Sequence, residues 1–124
     1  MKIKFFSIII LLLQILNSQD PFEGYILFSP LTDGPSGGGD NYTRLIDNNG
    51  TIINQWDHES SAATAPYLKS DSTLICPFKA DNAYMFGSAY GGQLIHYNWN
   101  GDVLWQYTYS DTNHLQHHDI EPLP

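Results

Sequence analysis

The chain has 124 residues, 42% of them hydrophobic and 14% aromatic, with 13 acidic side chains against five Lys and Arg. That length gives one small domain, and the aromatic content excludes a disordered chain. The formal charge of −8 excludes nonspecific nucleic-acid binding, and the single cysteine, Cys76, excludes an internal disulfide framework or a cysteine-rich zinc module.

The first segment has the build of a secretory signal peptide. Lys2 and Lys4 form a short positive region, and residues 5–16 are apolar except for Ser7 and Gln14. The run is shorter than the roughly 20 residues that span a bilayer, so it predicts export with no membrane attachment after cleavage. Polar residues 17–20 follow, and small Ser18 places the cut after itself, giving a signal peptide of 1–18 and a mature region of 19–124. The localisation expected is secreted or periplasmic. A lone cysteine suits an oxidising compartment. Asn41-Tyr42-Thr43 and Asn49-Gly50-Thr51 match the N-glycosylation acceptor pattern, which makes Asn41 and Asn49 glycan candidates.

The mature region reads as strands and turns with no amphipathic helix. Residues 24–29 form the first predicted strand, ended by Pro30. Residues 32–40, rich in glycine, form a loop. Strands at 42–47 and 51–57 flank Asn48-Asn49-Gly50, and an Asn-Gly pair between apolar runs is a strong hairpin signal because both residues tolerate positive φ. Strands at 66–69 and 73–78 flank Ser70-Asp71-Ser72, and strands at 93–98 and 102–109 flank Asn100-Gly101. A last strand is predicted over residues 118–123.

The chain repeats itself. The segment from Asn49 to Trp56 aligns with that from Asn100 to Tyr107 at an offset of 51 residues, with Asn, Gly and Gln identical and an aromatic residue matching an aromatic. A repeat of about 50 residues holding about four strands is the size of one β-propeller blade. The fold class expected is all-β, with about two blades. Blades bury their faces against neighbours, so two alone leave apolar faces wet. This predicts either a truncated propeller or self-association with other copies.

Chemistry-bearing residues gather late in the sequence, in His114-Leu115-Gln116-His117-His118-Asp119-Ile120-Glu121. On a strand from residue 118, His118 and Ile120 would share one face, with His117 and Asp119 on the other. A carboxylate beside an imidazole fixes which ring nitrogen is free to attack or donate. Three readings stay open: His117 or His118 as a nucleophile or acid/base, a metal site of His114, His117, His118 and Asp119, or a polar surface loop. His58 reads as a solvated strand end, His96 as a structural strand residue, and Trp56, Trp99 and Trp105 as core fillers. Arg44 is the single arginine, which limits bidentate binding of anions. The glycine-bearing stretch 86–92 has neither the lysine nor the helix of a phosphate loop.

Several of these runs together resemble the arylsulfotransferase (aryl-sulfate sulfotransferase) family. They are Gly24-Tyr25-Ile26-Leu27-Phe28-Ser29-Pro30, Leu45-Ile46-Asp47-Asn48-Asn49-Gly50, Trp56-Asp57-His58, Tyr97-Asn98-Trp99-Asn100-Gly101 and, most specifically, Gln116-His117-His118-Asp119-Ile120-Glu121-Pro122-Leu123-Pro124. The resemblance spans about residues 24–124. It implies the first part of a six-bladed propeller that, when whole, moves a sulfuryl group from a phenolic sulfate donor to a phenol acceptor through a sulfated histidine, with this stretch alone expected to be inactive. It implies no nucleotide or other cofactor, and no resident metal. It points to His117, His118 and Asp119 as catalytic candidates without saying which histidine carries the sulfuryl group. The rival readings are a non-catalytic extracellular binding propeller and a metal-dependent enzyme using the cluster from His114 to His118.

Overall fold

A computed structural model describes residues 22–30, 41–81, 85 and 91–123. The expected signal peptide of 1–18, the expected loop of 32–40 and most of the stretch 86–92 lie outside these residues. Among the described residues there is no helix, and hence none long and apolar enough to cross a membrane. The described residues form seven strands: β1 (Tyr25–Phe28), β2 (Tyr42–Asp47), β3 (Ile52–Asp57), β4 (Tyr67–Leu68), β5 (Leu74–Lys79), β6 (Gly92–Tyr97) and β7 (Val103–Thr108). They make two antiparallel sheets in sequence order, β1-β2-β3 and β4-β5-β6-β7.

Local chemistry explains the turns. Between β2 and β3 the Asp47 carboxylate accepts the backbone N–H of Asn49 and of Thr51, both at 2.8 Å, and Gly50 takes φ of 81°. Glycine adopts that left-handed conformation without a Cβ penalty. Between β6 and β7 the Asn98 side-chain oxygen accepts the N–H of Asn100 and of Asp102, both at 2.9 Å, and Gly101 takes φ of 90°. The hydrogen bonds from Thr51 and Asn49 pull the Asp47 carboxyl below its usual range.

The sheets pack face to face. Leu45 and Trp56 of the first sheet meet Leu74, Cys76, Phe78 and Tyr97 of the second, with Ala62 from the connection. Trp56 is fully buried, its ring edge-on to Trp99 at 5.4 Å. Its indole N–H donates to the Asn98 carbonyl at 2.8 Å, and the Asn54 amide donates to the Trp99 carbonyl at 2.8 Å. Trp56 therefore fills the core as expected, whereas Trp99 and Trp105 stay 37% and 42% exposed.

Strand β5 is buried from Leu74 to Phe78, on both of its faces. Pro77 sits inside it without breaking the ladder to β6. Its carbonyl accepts the Ala63 N–H at 2.8 Å, so its nitrogen also points to that side, away from β6.

One predicted strand does not form. Residues 118–123 make no strand, and His118 takes φ of 59°. A non-glycine residue in that region turns the chain out of extended geometry. The alternation placing His118 with Ile120 and His117 with Asp119 on opposite faces is lost with the strand.

Candidate functional site

Beyond β7 the chain folds back on the β5–β6 end of the second sheet. Tyr109 N–H donates to the Gly92 carbonyl at 2.7 Å, and Gln116 N–H donates to the Tyr109 carbonyl at 3.0 Å. Asp111 closes the turn between them. Its carboxylate accepts the N–H of Asn113 and of His114, both at 2.7 Å, and those bonds lower its pKa. The sequence reading lacked this turn, although Asp111 followed at once by small and polar residues carries the signal for it.

Gln116 ties the returning segment down. Its side-chain oxygen accepts the Gly92 N–H at 2.9 Å, and its amide donates to the His118 carbonyl at 3.1 Å. Gln116 thus joins the start of β6 to the backbone of the histidine pair. Gly92 has φ of 103°, and a Cβ there would come within 2.9 Å of both Ala80 and Leu115. Only glycine lets the segment lie so close.

His117 and His118 stand side by side with ring centroids 4.1 Å apart, edge to face at 83°, and both are exposed. The positive φ of His118 lets consecutive side chains share one side instead of alternating. The structure therefore brings together the two histidines singled out in the sequence, by a turn and not by a strand.

Asp119 does not join them as expected. One of its carboxylate oxygens accepts the N–H of the next residue, Ile120, at 2.8 Å, and neither oxygen is hydrogen-bonded to the His117 or His118 ring. His114 is engaged elsewhere: its Nδ1 lies 3.2 Å from the Asp111 carboxylate and its ring packs on Tyr109 at 5.6 Å. Among the described residues, no three His, Cys, Asp or Glu side chains converge as metal ligands.

His58 is placed differently from the sequence reading. It is not a solvated strand end. Its ring packs on Phe78 at 5.0 Å and Tyr97 at 5.2 Å, and its Nε2 is hydrogen-bonded to the Thr43 hydroxyl at 2.8 Å. Burial holds its pKa down at about 4 despite the opposing charge of Asp57, and its Nδ1 is buried with no partner. His58 borders an open cleft of about 310 Å³ that Glu59, Ser60, Gln93, Tyr97 and Gln106 also line. Burial pushes the Tyr97 phenol up to about 12.

His96 is buried, with Nε2 hydrogen-bonded to the Thr73 hydroxyl at 2.7 Å and its ring against Trp105 at 5.3 Å. It is structural, as its place inside a strand suggested. Arg44 lies on the outer face of the first sheet, its guanidinium 3.9 Å above the Tyr42 ring and its Nε donating to Gln55 at 2.7 Å. Of the glycan candidates, Asn49 is exposed at the β2–β3 turn, while Asn41 donates to the Glu59 carbonyl at 3.2 Å and accepts from Ser61 at 3.0 Å.

No protein-family model, curated protein or solved structure matches the chain.

Proposed function

We propose that the chain is an exported arylsulfotransferase-type protein built of β-propeller blades, and that its His117–His118 pair moves a sulfuryl group between phenols. One observation carries this reading: two exposed imidazoles with ring centroids 4.1 Å apart. The chemistry needs a nucleophile and a group beside it that can hold a proton, and imidazole can serve as either.

The reaction takes two displacements. In the first, the neutral nitrogen of one imidazole attacks sulfur of the phenolic sulfate ester. An N–S bond forms, and the S–O bond to the aromatic ring breaks. The electron pair leaves as phenolate, and the neighbouring imidazolium supplies the proton that makes it phenol. In the second, the acceptor phenol gives its proton to that neighbour, now neutral, while its oxygen attacks the same sulfur. The N–S bond breaks and the first imidazole is restored. No cofactor enters either step. The proton carrier in this scheme is the second histidine, and Asp119, one carboxylate oxygen of which accepts the Ile120 N–H, follows the pair as the third catalytic candidate.

The test is turnover of a chromogenic aryl sulfate with a phenol acceptor, run on the full chain and on His117→Ala and His118→Ala. The expected result is donor-dependent gain of one sulfuryl mass on a peptide carrying residues 117 and 118, with turnover lost in at least one variant. A wild-type chain that neither gains this mass nor releases phenol would overturn the proposal.

A further inference from the structure

The two sheets are copies of one unit, stacked the same way round. Asp47 and Asn98 make the same turn, each accepting two backbone N–H groups and each followed by a glycine at positive φ. The register slips at matched places as well, between Leu45 and Ile46 in one copy and between His96 and Tyr97 in the other. The extra residue of each bulge, Ile53 or Leu104, falls at the same point of the repeat.

The ladders then match residue to residue. Leu27, Leu45 and Asn54 correspond to Ile75, His96 and Trp105, and by the sequence repeat Trp56 corresponds to Tyr107. In the first copy this face is covered: Trp56 and Leu45 are buried against the second sheet. In the second copy the same face points away from the first sheet, and Trp105 and Tyr107 are 42% and 54% exposed.

The opposite faces show the complement. Ile26, Ile46 and Ile52 correspond to Leu74, Tyr97 and Val103. Leu74 and Tyr97 belong to the core against the first sheet, whereas Ile26 and Ile52 are 53% and 50% exposed. The contact inside the chain thus joins two different faces, and one face of each kind keeps large apolar side chains exposed, Trp105 and Tyr107 on one and Ile26 and Ile52 on the other. A contact of that type is heterologous and propagates from copy to copy.

We propose that the outer face of the β4–β7 sheet, bearing Leu94, Trp105 and Tyr107, binds the outer β1–β3 face of a second copy of this chain, bearing Ile26, Ile46 and Ile52. The contact repeats, between chains, the one that already joins the two sheets. It sets Tyr107 of one copy against the turn at Asp47 of the next, as Trp56 sits against the turn at Asn98. Each added copy leaves one face of each kind open, so assembly runs head to tail until it closes into a ring or grows as a filament. The inference stands independently of sulfuryl transfer.

Sedimentation velocity of the full chain across a wide concentration range is the first measurement, with mass rising with concentration as the expected result. Tyr107→Lys blocks one face and Ile26→Lys the other, so each variant alone becomes monomeric. An equimolar mixture of the two then forms a single heterodimer and nothing larger, because each keeps the face that its partner lacks. Near-UV circular dichroism checks the fold, and Trp105→Lys with Ile52→Lys is the replacement pair should either variant unfold. A wild type that stays monomeric would overturn the proposal. So would an Ile26→Lys protein that still associates by itself, since that marks a like-to-like contact or an unrelated surface, and so would folded variants that do not pair when mixed.

Discussion

Trp56 reaches across the core to hydrogen-bond the carbonyl of Asn98 at 2.8 Å, so the largest buried side chain of the first sheet is fastened to a turn of the second. The contact combines a packed aromatic with a satisfied indole N–H, and both parts can be measured. Trp56→Phe keeps most of the packing and loses the hydrogen bond, a cost of about 1 kcal/mol. Trp56→Ala empties the site and costs about 3–5 kcal/mol. Urea unfolding followed by circular dichroism gives both values, and equal losses would mean that packing contributes nothing beyond the hydrogen bond.

His58 makes stability depend on pH. Its folded pKa of about 4 lies below the ordinary 6.5, so between these values the unfolded chain binds a proton that the folded chain does not. Stability rises with pH wherever the unfolded state holds more protons. It therefore falls as pH drops from 6.5 towards 4 and is steady with respect to His58 above that window. The lowered pKa of His96 acts in the same direction. His58→Gln should flatten the acid side of a plot of unfolding midpoint against pH, and an unchanged slope would show that His58 is open to water.

Cys76 is fully buried, and burial pushes its thiol up to about 12. The thiolate is the reactive form, so the native protein should be inert to aromatic disulfide reagents at neutral pH. Reaction should appear only with global unfolding. Labelling as fast as that of a small free thiol would place Cys76 outside the core.

Gln116 connects the histidine pair to the sheet through Gly92 and His118. Gln116→Ala should cost about 1–3 kcal/mol, the range for leaving buried backbone groups without a partner. If His117 and His118 act together, the same change should lower turnover while the folded spectrum is retained. Gly92→Ala should be more damaging, because a Cβ there meets Ala80 and Leu115 at 2.9 Å and the residue would be held at φ of 103°. Thermal melts and turnover on the same preparations separate loss of fold from loss of position.

The seven strands are legible in the sequence because each is a short β-branched or aromatic run closed by turn residues. The Asn-Gly pairs at 49–50 and 100–101 even fix the hairpins and the repeat. What escaped was set in part by distant partners and in part by local backbone geometry. His58 looks like a polar strand end until Phe78 and Tyr97 of the other sheet close on it. Residues 118–123 alternate like a strand, yet Pro122 has no N–H to donate to a ladder and His118 turns at φ of 59°. The same turn made the pairing of His117 with His118 invisible, since strand alternation separates consecutive side chains. Sequence adjacency places Asp119 beside the pair but does not say which way its carboxylate turns, and one of its oxygens takes the Ile120 N–H.

The bond from Trp56 to Asn98 also has a consequence for synthesis. Its partners are 42 residues apart, while each hairpin closes over a few residues. At roughly 5–20 residues per second, the first sheet leaves the ribosome about 2–8 seconds before the residue that covers it. For that interval its hairpins can pair while the side of the sheet carrying Leu45 and Trp56 stays wet. A chaperone that shields apolar strands should therefore hold nascent chains ending shortly before Asn98 and release those in which the second sheet is complete.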